Sequence, residues 1–218
     1  MVKWGMVIDV AKCIGCDACT VACKVENKSP GTIFYAPVLQ LEVGKYPRTR
    51  RIFLPILCMH CEDAPCMKAC PSKAIYRRHD GLVLVDETKC CGARACVVAC
   101  PYNAMHFFDG DNRTVFDNVE SEFDQMAFNK YKFMAAQKCT FCAHRIDSAL
   151  EKKLRPGVDR DATPACVITC PAECRIFGDL EDESSPASQY LKKAREDGRN
   201  VFRLREGAKT SPSVLYVK

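Results

Sequence analysis

Seventeen cysteines in 218 residues are too many for an ordinary protein interior, and sixteen of them fall into four groups of four. The first is Cys13, Cys16, Cys19 and Cys23, separated by two, two and three residues. The second, Cys58, Cys61, Cys66 and Cys70, lengthens the middle gap to four, and the third is Cys90, Cys91, Cys96 and Cys100. The fourth, Cys139, Cys142, Cys166 and Cys170, opens its middle gap to twenty-three residues. Three of the groups end in Cys-Pro, at Pro71, Pro101 and Pro171. Three thiolates spaced by two residues wrap a loop around one side of an iron–sulfur cubane, and the fourth ligand must arrive from elsewhere; Cys-Pro closes such runs in bacterial ferredoxins. Zinc, the competing use of Cys-x2-Cys, prefers two separated pairs arranged as a tetrahedron. Disulfides suit small secreted chains, and Met1-Val2-Lys3-Trp4 begins no secretory leader. The spacing therefore predicts iron–sulfur clusters, whose chemistry is electron transfer.

Lys and Arg exceed Asp and Glu by five, which alone suggests a nucleic-acid or membrane-surface binder. A cubane with its thiolates carries about −2, so four would add about −8 and leave the loaded protein slightly acidic. The basic surplus then reads as compensation for buried cluster charge, and no nucleic-acid partner is expected. No apolar run reaches the length of a membrane-spanning helix, so insertion by this chain is not expected either. No phosphate loop, nucleophile–base pair or dinucleotide fingerprint occurs, and the chain alone is expected to catalyse nothing on an organic substrate.

The elements that must position these thiolates are short. Residues 6–10 read as a strand before the first group, and 51–54 as one leading into the second. Residues 74–78 and 82–85 flank His79-Asp80-Gly81 as a hairpin, and 105–108 with 113–116 repeat that plan around Asp109-Gly110-Asp111-Asn112. Short helices through 18–24, 67–69 and 94–99 would bring the last two cysteines of a group onto one helical face. An amphipathic helix starts at Ser185-Pro186 and stops at Gly198, followed by two strands between Val201 and Val217. The segment 26–50, cysteine-free and punctuated by Pro30-Gly31, Pro37 and Tyr46-Pro47, is expected to lie over the surface, as a partner contact or a cover. With so little regular structure per unit, clusters should serve as the core.

Several of these motifs resemble the four-cluster ferredoxin-type subunit of the dimethyl-sulfoxide-reductase-like molybdenum or tungsten bis-pterin oxidoreductases. The carrying residues are Val7-Ile8-Asp9, Cys58-Met59-His60-Cys61-Glu62-Asp63-Ala64-Pro65-Cys66, Cys100-Pro101-Tyr102, Gln137-Lys138-Cys139-Thr140-Phe141-Cys142 and Phe177-Gly178-Asp179-Leu180, and the likeness spans roughly residues 5–182. Residues 136–144 and the C-terminal strands are also similar, in part, to the small subunit of pyrogallol–phloroglucinol transhydroxylase, which holds fewer clusters. The resemblance implies an α+β fold of two bacterial-ferredoxin-like units, with 51–124 inserted between 1–50 and 125–182, and a helix-and-strand extension over 183–218. It implies that groups pair first with fourth and second with third. Cluster one would then take Cys13, Cys16, Cys19 and Cys170, and cluster two Cys139, Cys142, Cys166 and Cys23. Cluster three would take Cys58, Cys61, Cys66 and Cys100, and cluster four Cys90, Cys96 and Cys70. The implied partners are a large pterin-containing catalytic subunit and a membrane quinone subunit or soluble acceptor. The implied role is to relay electrons between them; a free-standing polyferredoxin is the alternative. A cytoplasmic location is expected, or a periplasmic one by co-export with a leader-bearing partner.

The third group departs from the family pattern, because Ala93 stands where a cysteine is expected and Cys91 stands two residues earlier. Three clusters are thus expected as [4Fe-4S]. The fourth is either [3Fe-4S] on three thiolates or [4Fe-4S] with Cys91 as ligand, and the unusual position of Cys91 favours the latter. Lys12, Lys89 and Lys138 each precede the first cysteine of a group and are candidate tuning cations, against the plainer reading of solvated strand ends. His60, His79, His106 and His144 are not needed as ligands, and Cys174 is read as a small buried filler.

Overall fold

The computed structural model describes residues 2–109, 114 and 119–218 of the chain, and it is a mixed α and β fold of short elements. Its largest sheet is built around β1 (Trp4–Asp9), the strand expected before the first cysteine group. β1 runs antiparallel to β8 (Arg175–Asp179) and parallel to β10 (Val214–Val217), which in turn pairs with β9 (Val201–Phe202). All six residues of β1 are buried because both faces of the sheet are covered. Successive side chains of a strand point to opposite faces. Met6 and Ile8 therefore enter the main core, while Val7 joins Leu215 and Val217 against Ala187, Leu191 and Ala194 of the helix α7 (Pro186–Glu196). The ends of α7 match their sequence signals: Ser185 Oγ accepts from Ser188 N–H at 3.2 Å, and Gly198 follows with φ 67°.

One buried ion pair ties this sheet to the C-terminal extension. Arg199 donates from Nη1 and Nη2 to the two carboxylate oxygens of Asp9 at 2.7 and 2.8 Å, and Tyr190 Oη donates to the same group. Burial opposes the Asp9 charge, but these donors and Ala11 N–H outweigh it and hold the carboxyl at about 2.

The other sheets among the described residues are two-stranded. β2 (Val38–Lys45) and β3 (Arg48–Pro55) form a long hairpin, so the cysteine-free segment 26–50 contains a strand that its uneven sequence did not announce. β4 (Ile75–Arg77) and β5 (Val83–Val85) form the expected hairpin. Of the second expected hairpin, the first strand is present. β6 (His106–Phe108) pairs antiparallel with β7 (Ala135–Gln137), whereas 113 and 115–116 lie outside the described residues. Phe107 and Phe108 are buried, and the Phe108 ring stacks 5.6 Å from Phe128 and meets Phe133 edge-on at 5.5 Å.

Helix α1 (Ala18–Asn27) buries Cys19, Cys23 and Asn27, four residues apart, on one face. The helices α2 (Pro65–Lys68), α3 (Ala95–Ala99) and α6 (Ala165–Ile168) have four, five and four residues, and each places one cysteine inward. Two further helices, α4 (Glu122–Lys130) and α5 (Ala143–Glu151), carry no cysteine and pass the notice of a cysteine-led reading. No helix among the described residues is long and apolar enough to cross a membrane.

Candidate metal centres

Each cysteine loop is opened by a residue with positive φ one position before its second ligand site. These residues are Gly15 at 68°, His60 at 42°, Gly92 at 76° and Phe141 at 54°. The left-handed turn reverses the chain between two ligand positions, and at Gly15 a Cβ would lie 2.3 Å from the Phe53 ring. The Cys-Pro ends repeat as well. Lys73, Asn103 and Glu173 all have φ near 50°, and the next amide closes on the cysteine four residues back. Ala74 N–H reaches Cys70 Sγ at 3.3 Å, Ala104 N–H reaches Cys100 Sγ at 3.4 Å, and Cys174 N–H reaches Cys170 Sγ at 3.4 Å. Amides aimed at sulfur favour its anionic form, as a metal-bound thiolate requires.

These loops bring the cysteines together in sets drawn from different groups. Cys58, Cys61, Cys66 and Cys100 line one cavity with Met59, Val83 and Met105. Cys70, Cys90, Cys96 and Cys91 line another with Ser72 and Ala93. Burial raises the Cys23 pKa well above the usual thiol value, and the charges of Cys139, Cys166 and Cys142 act on it in the same direction. Asn27 Nδ2 lies 3.5 Å from Cys23 Sγ and 3.9 Å from Cys142 Sγ, joining helix α1 to the fourth group. Cys13 and Cys19 are electrostatic neighbours, and Cys174 links Cys13 to Cys170, with its Sγ 3.5 Å from that of Cys170. Cys16 stands exposed at the tip of its loop. Cys174 is buried as a filler should be, yet it also touches two sulfurs of one set.

Burial pushes the Cys61 thiol up to about 11, and burial with the charge of Cys58 pushes Cys66 up to about 12. Burial likewise carries Cys166 to about 12. Such thiols hold their protons at neutral pH unless a cation replaces them, which is the electrostatic demand of a metal site. Among the described residues no three His, Cys, Asp or Glu side chains converge tightly enough for a single ion.

The three candidate lysines separate on burial. Lys12 is exposed with its ammonium 5.1 Å from the Tyr190 ring, and Lys89 is exposed and pairs with Asp86 at 3.2 Å. Lys138 is 3% exposed; its Nζ donates to Cys139 O at 3.0 Å and to Val83 O, and its charge acts on Cys66. It thus lies between the second-with-third and first-with-fourth sets. His60 fills the same seam: its Nδ1 accepts from Val83 N–H at 3.0 Å and its ring packs 4.0 Å from Phe141. Burial and then the Lys138 charge hold His60 neutral. His106 is likewise kept neutral by burial, at about 4, His144 pairs with Glu26, and His79 is exposed.

Sequence reasoning missed Arg175. It lies on β8 opposite Ile8, with Phe177 two residues on and opposite Met6, so its side chain faces the main core. It is 2% exposed, and its Nε and Nη2 find no acceptor among the described residues. A cation at an inward strand position just after a Cys-Pro closure was the available signal. A buried, uncompensated guanidinium beside buried thiols fits a site that receives a large anion.

Known proteins resemble this chain over its whole length. Residues 49–129 match the family model of a 4Fe-4S dicluster domain. Over its whole length the chain is 37% identical to the iron–sulfur subunit named for a dimethyl sulfoxide reductase in Halobacterium salinarum, covering 79% of that protein. It is 35% identical to a selenate reductase subunit of Mesobacillus selenatarsenatis over 99% of this chain and 72% of that one. It is 32% identical to the iron–sulfur cluster-binding subunit of a menaquinone reductase in Nitratidesulfovibrio vulgaris, over 99% of this chain and 89% of that one. Buried thiol sets, in a chain that matches such subunits from end to end, place it in the family of iron–sulfur electron-transfer subunits of dimethyl-sulfoxide-reductase-type oxidoreductases.

Proposed function

We propose that the chain carries four clusters in two interleaved pairs and relays electrons between a molybdenum or tungsten bis-pterin catalytic subunit and an acceptor or quinone-linked partner. Each cluster accepts and releases a single electron; the protein's part is to hold it, set its potential and keep it near the next. The observation that carries this reading is the exchange of last cysteines. Cys23 meets the fourth group, Cys100 meets the second, and Cys70 meets the third. Such exchange locks two ferredoxin halves together. It supports two units, with 51–124 inserted between 1–50 and 125–182 and the extension 183–218 closing the sheet on β1. The sets also follow one another in space: Cys19 acts on Cys166, and Cys58 acts on Cys139. The relatives' names supply a terminal oxidoreductase at one end and menaquinone at the other.

Purification of the native complex tests the reading. A brown assembly containing this chain, a large subunit and molybdenum or tungsten, with iron for four clusters per copy of the chain, is the expected result. A free, iron-loaded monomer lacking both metals would instead support a soluble polyferredoxin, and a colourless, iron-free protein would remove the cluster reading altogether.

Lys138 is the one of the three lysines assigned to tuning, because its ammonium is buried between cluster sets two and three. A nearby cation favours the reduced form and raises a potential. Lys138→Met is therefore expected to lower both midpoints, so that the reduced-to-oxidised ratio at fixed potential falls on the order of tenfold, about 59 mV for one electron. Unmoved midpoints in a potentiometric titration would take Lys138 out of that role.

A further inference from the structure

We infer that Arg175 is a shared counter-cation and positioning residue for the first two clusters, donating from Nε and Nη2 into the space between their thiolates. Five observations converge on it. The residue is buried to 2% exposure in the main core, beneath the β1–β8 pair. No carboxylate forms an ion pair with it among the described residues, and its Nη1 is directed only at Met6 Sδ, a weak acceptor 3.9 Å away. Two of its donors are orphaned. The charges that act on it most are those of Cys166 of one set and Cys19 of the other, followed by Cys174, which lies between Cys13 and Cys170, and by Tyr216. In the reverse direction, its charge acts on Cys13 and on Cys23, again one cysteine from each set.

A buried guanidinium with no anion is too costly for a fold to keep, and breaking such a pair costs more than forming it gains. The missing anion must therefore belong to what the cysteines hold. Arginine suits this place better than lysine, because its planar fork presents several donors in fixed directions and is less strongly hydrated. One fork can address two neighbouring anions at once. Hydrogen bonds and positive charge at cluster sulfurs raise the potential, so Arg175 should raise clusters one and two together. It is set apart from Lys138, whose contacts are with sets two and three. Arg175 is thereby a second buried cation along the path, one junction earlier.

The inference rests on the proposed cluster sets, so the test begins with the wild-type complex. Iron content and EPR of that complex decide whether clusters one and two exist, independently of Arg175. Potentiometric titration followed by EPR is then repeated on the iron-loaded complex carrying Arg175→Met. Clusters one and two are expected to show a fall of at least tenfold in the reduced-to-oxidised ratio at fixed potential, while clusters three and four stay within about twofold. Arg175→Lys, which keeps the charge and loses the fork, should shift the same two clusters in the same direction by less. Unmoved midpoints in Arg175→Met, or an equal shift of all four clusters, would overturn the assignment. Should Arg175→Met fail to load iron, Arg175→Lys decides: wild-type midpoints would assign the residue to folding alone and overturn the inference.

Discussion

Anaerobic removal of iron by a chelator is expected to unfold most of this chain rather than leave an empty shell. The elements that hold the cysteines cannot stand alone, since α2, α3 and α6 have four or five residues and β4 to β7 have three each. Isolated helices below about 12 residues are marginal in water. The main core is itself lined with Cys19, Cys23, Cys58, Cys61, Cys66, Cys96, Cys139 and Cys166. Structural metal sites in small domains contribute on the order of 10 kcal/mol, comparable with the whole stability of a typical domain. The measurement is far-UV circular dichroism with amide hydrogen exchange, before and after chelation. Protection should vanish over the cysteine loops and the β4–β5 hairpin. It should persist longest over β1, β10 and α7, which share an apolar cluster without cysteines. The pH sign follows from the raised thiols. Cys61 at about 11 and Cys66 and Cys166 at about 12 must lose protons to bind iron, so acid should favour iron loss. Unchanged dichroism and exchange in the iron-free chain would refute a cluster-built core.

Replacing Cys91 by alanine is expected to convert one cluster from four irons to three and leave the others intact. The loops of the first and third groups share their backbone: Gly15 and Gly92 have φ 68° and 76°, and Asp17 and Arg94 have φ 55° and 56°. In that register Ala93 occupies the place of Cys16, and Cys91 occupies the place of Ile14, which is 61% exposed. Cys91 nevertheless lines the cavity shared by Cys70, Cys90 and Cys96. Ala93 N–H and the Ser72 hydroxyl shift its pKa below the ordinary thiol value. Its place in that cavity sets it beside the corner that Ala93 leaves bare. Oxidised Cys91→Ala should show a near-isotropic three-iron EPR signal and one iron fewer per chain, and adding Ala93→Cys should restore the fourth iron. A three-iron signal already present in the fully loaded wild type would defeat this assignment.

The local half of the metal chemistry was legible in the residues. Two ligand positions three residues apart define a loop over a few bonds, and the fold gives each group a left-handed turn there, on glycine in the first and third groups and on His60 and Phe141 in the second and fourth. The helix after Ser185-Pro186 was legible for the same reason, since caps and 3.6-residue periodicity act within a few residues. The Ala93 departure and the adjacent Cys91 were also plain from spacing. The assignment of groups to one another was not; it came from the family resemblance, because nothing local says which distant loop supplies a fourth thiolate.

What only the tertiary structure decided depends on contacts across long stretches of chain. Met6 on β1 faces Val214 on β10, and no pattern in either segment names its partner. β6 pairs with β7 from a later part of the chain, and nothing in either short segment names the other. The three lysines share one sequence position but not one environment, and burial alone separates Lys138 from Lys12 and Lys89. Arg175 is the clearest case. Its chemistry depends on the absence of a carboxylate and on the nearness of two cysteine sets, and both are properties of packing rather than of order along the chain. By itself, then, the sequence determined which atoms could bind iron. Packing determined which of them meet and which cations lie between them, because electrostatic influence in a low-dielectric interior follows distance through space.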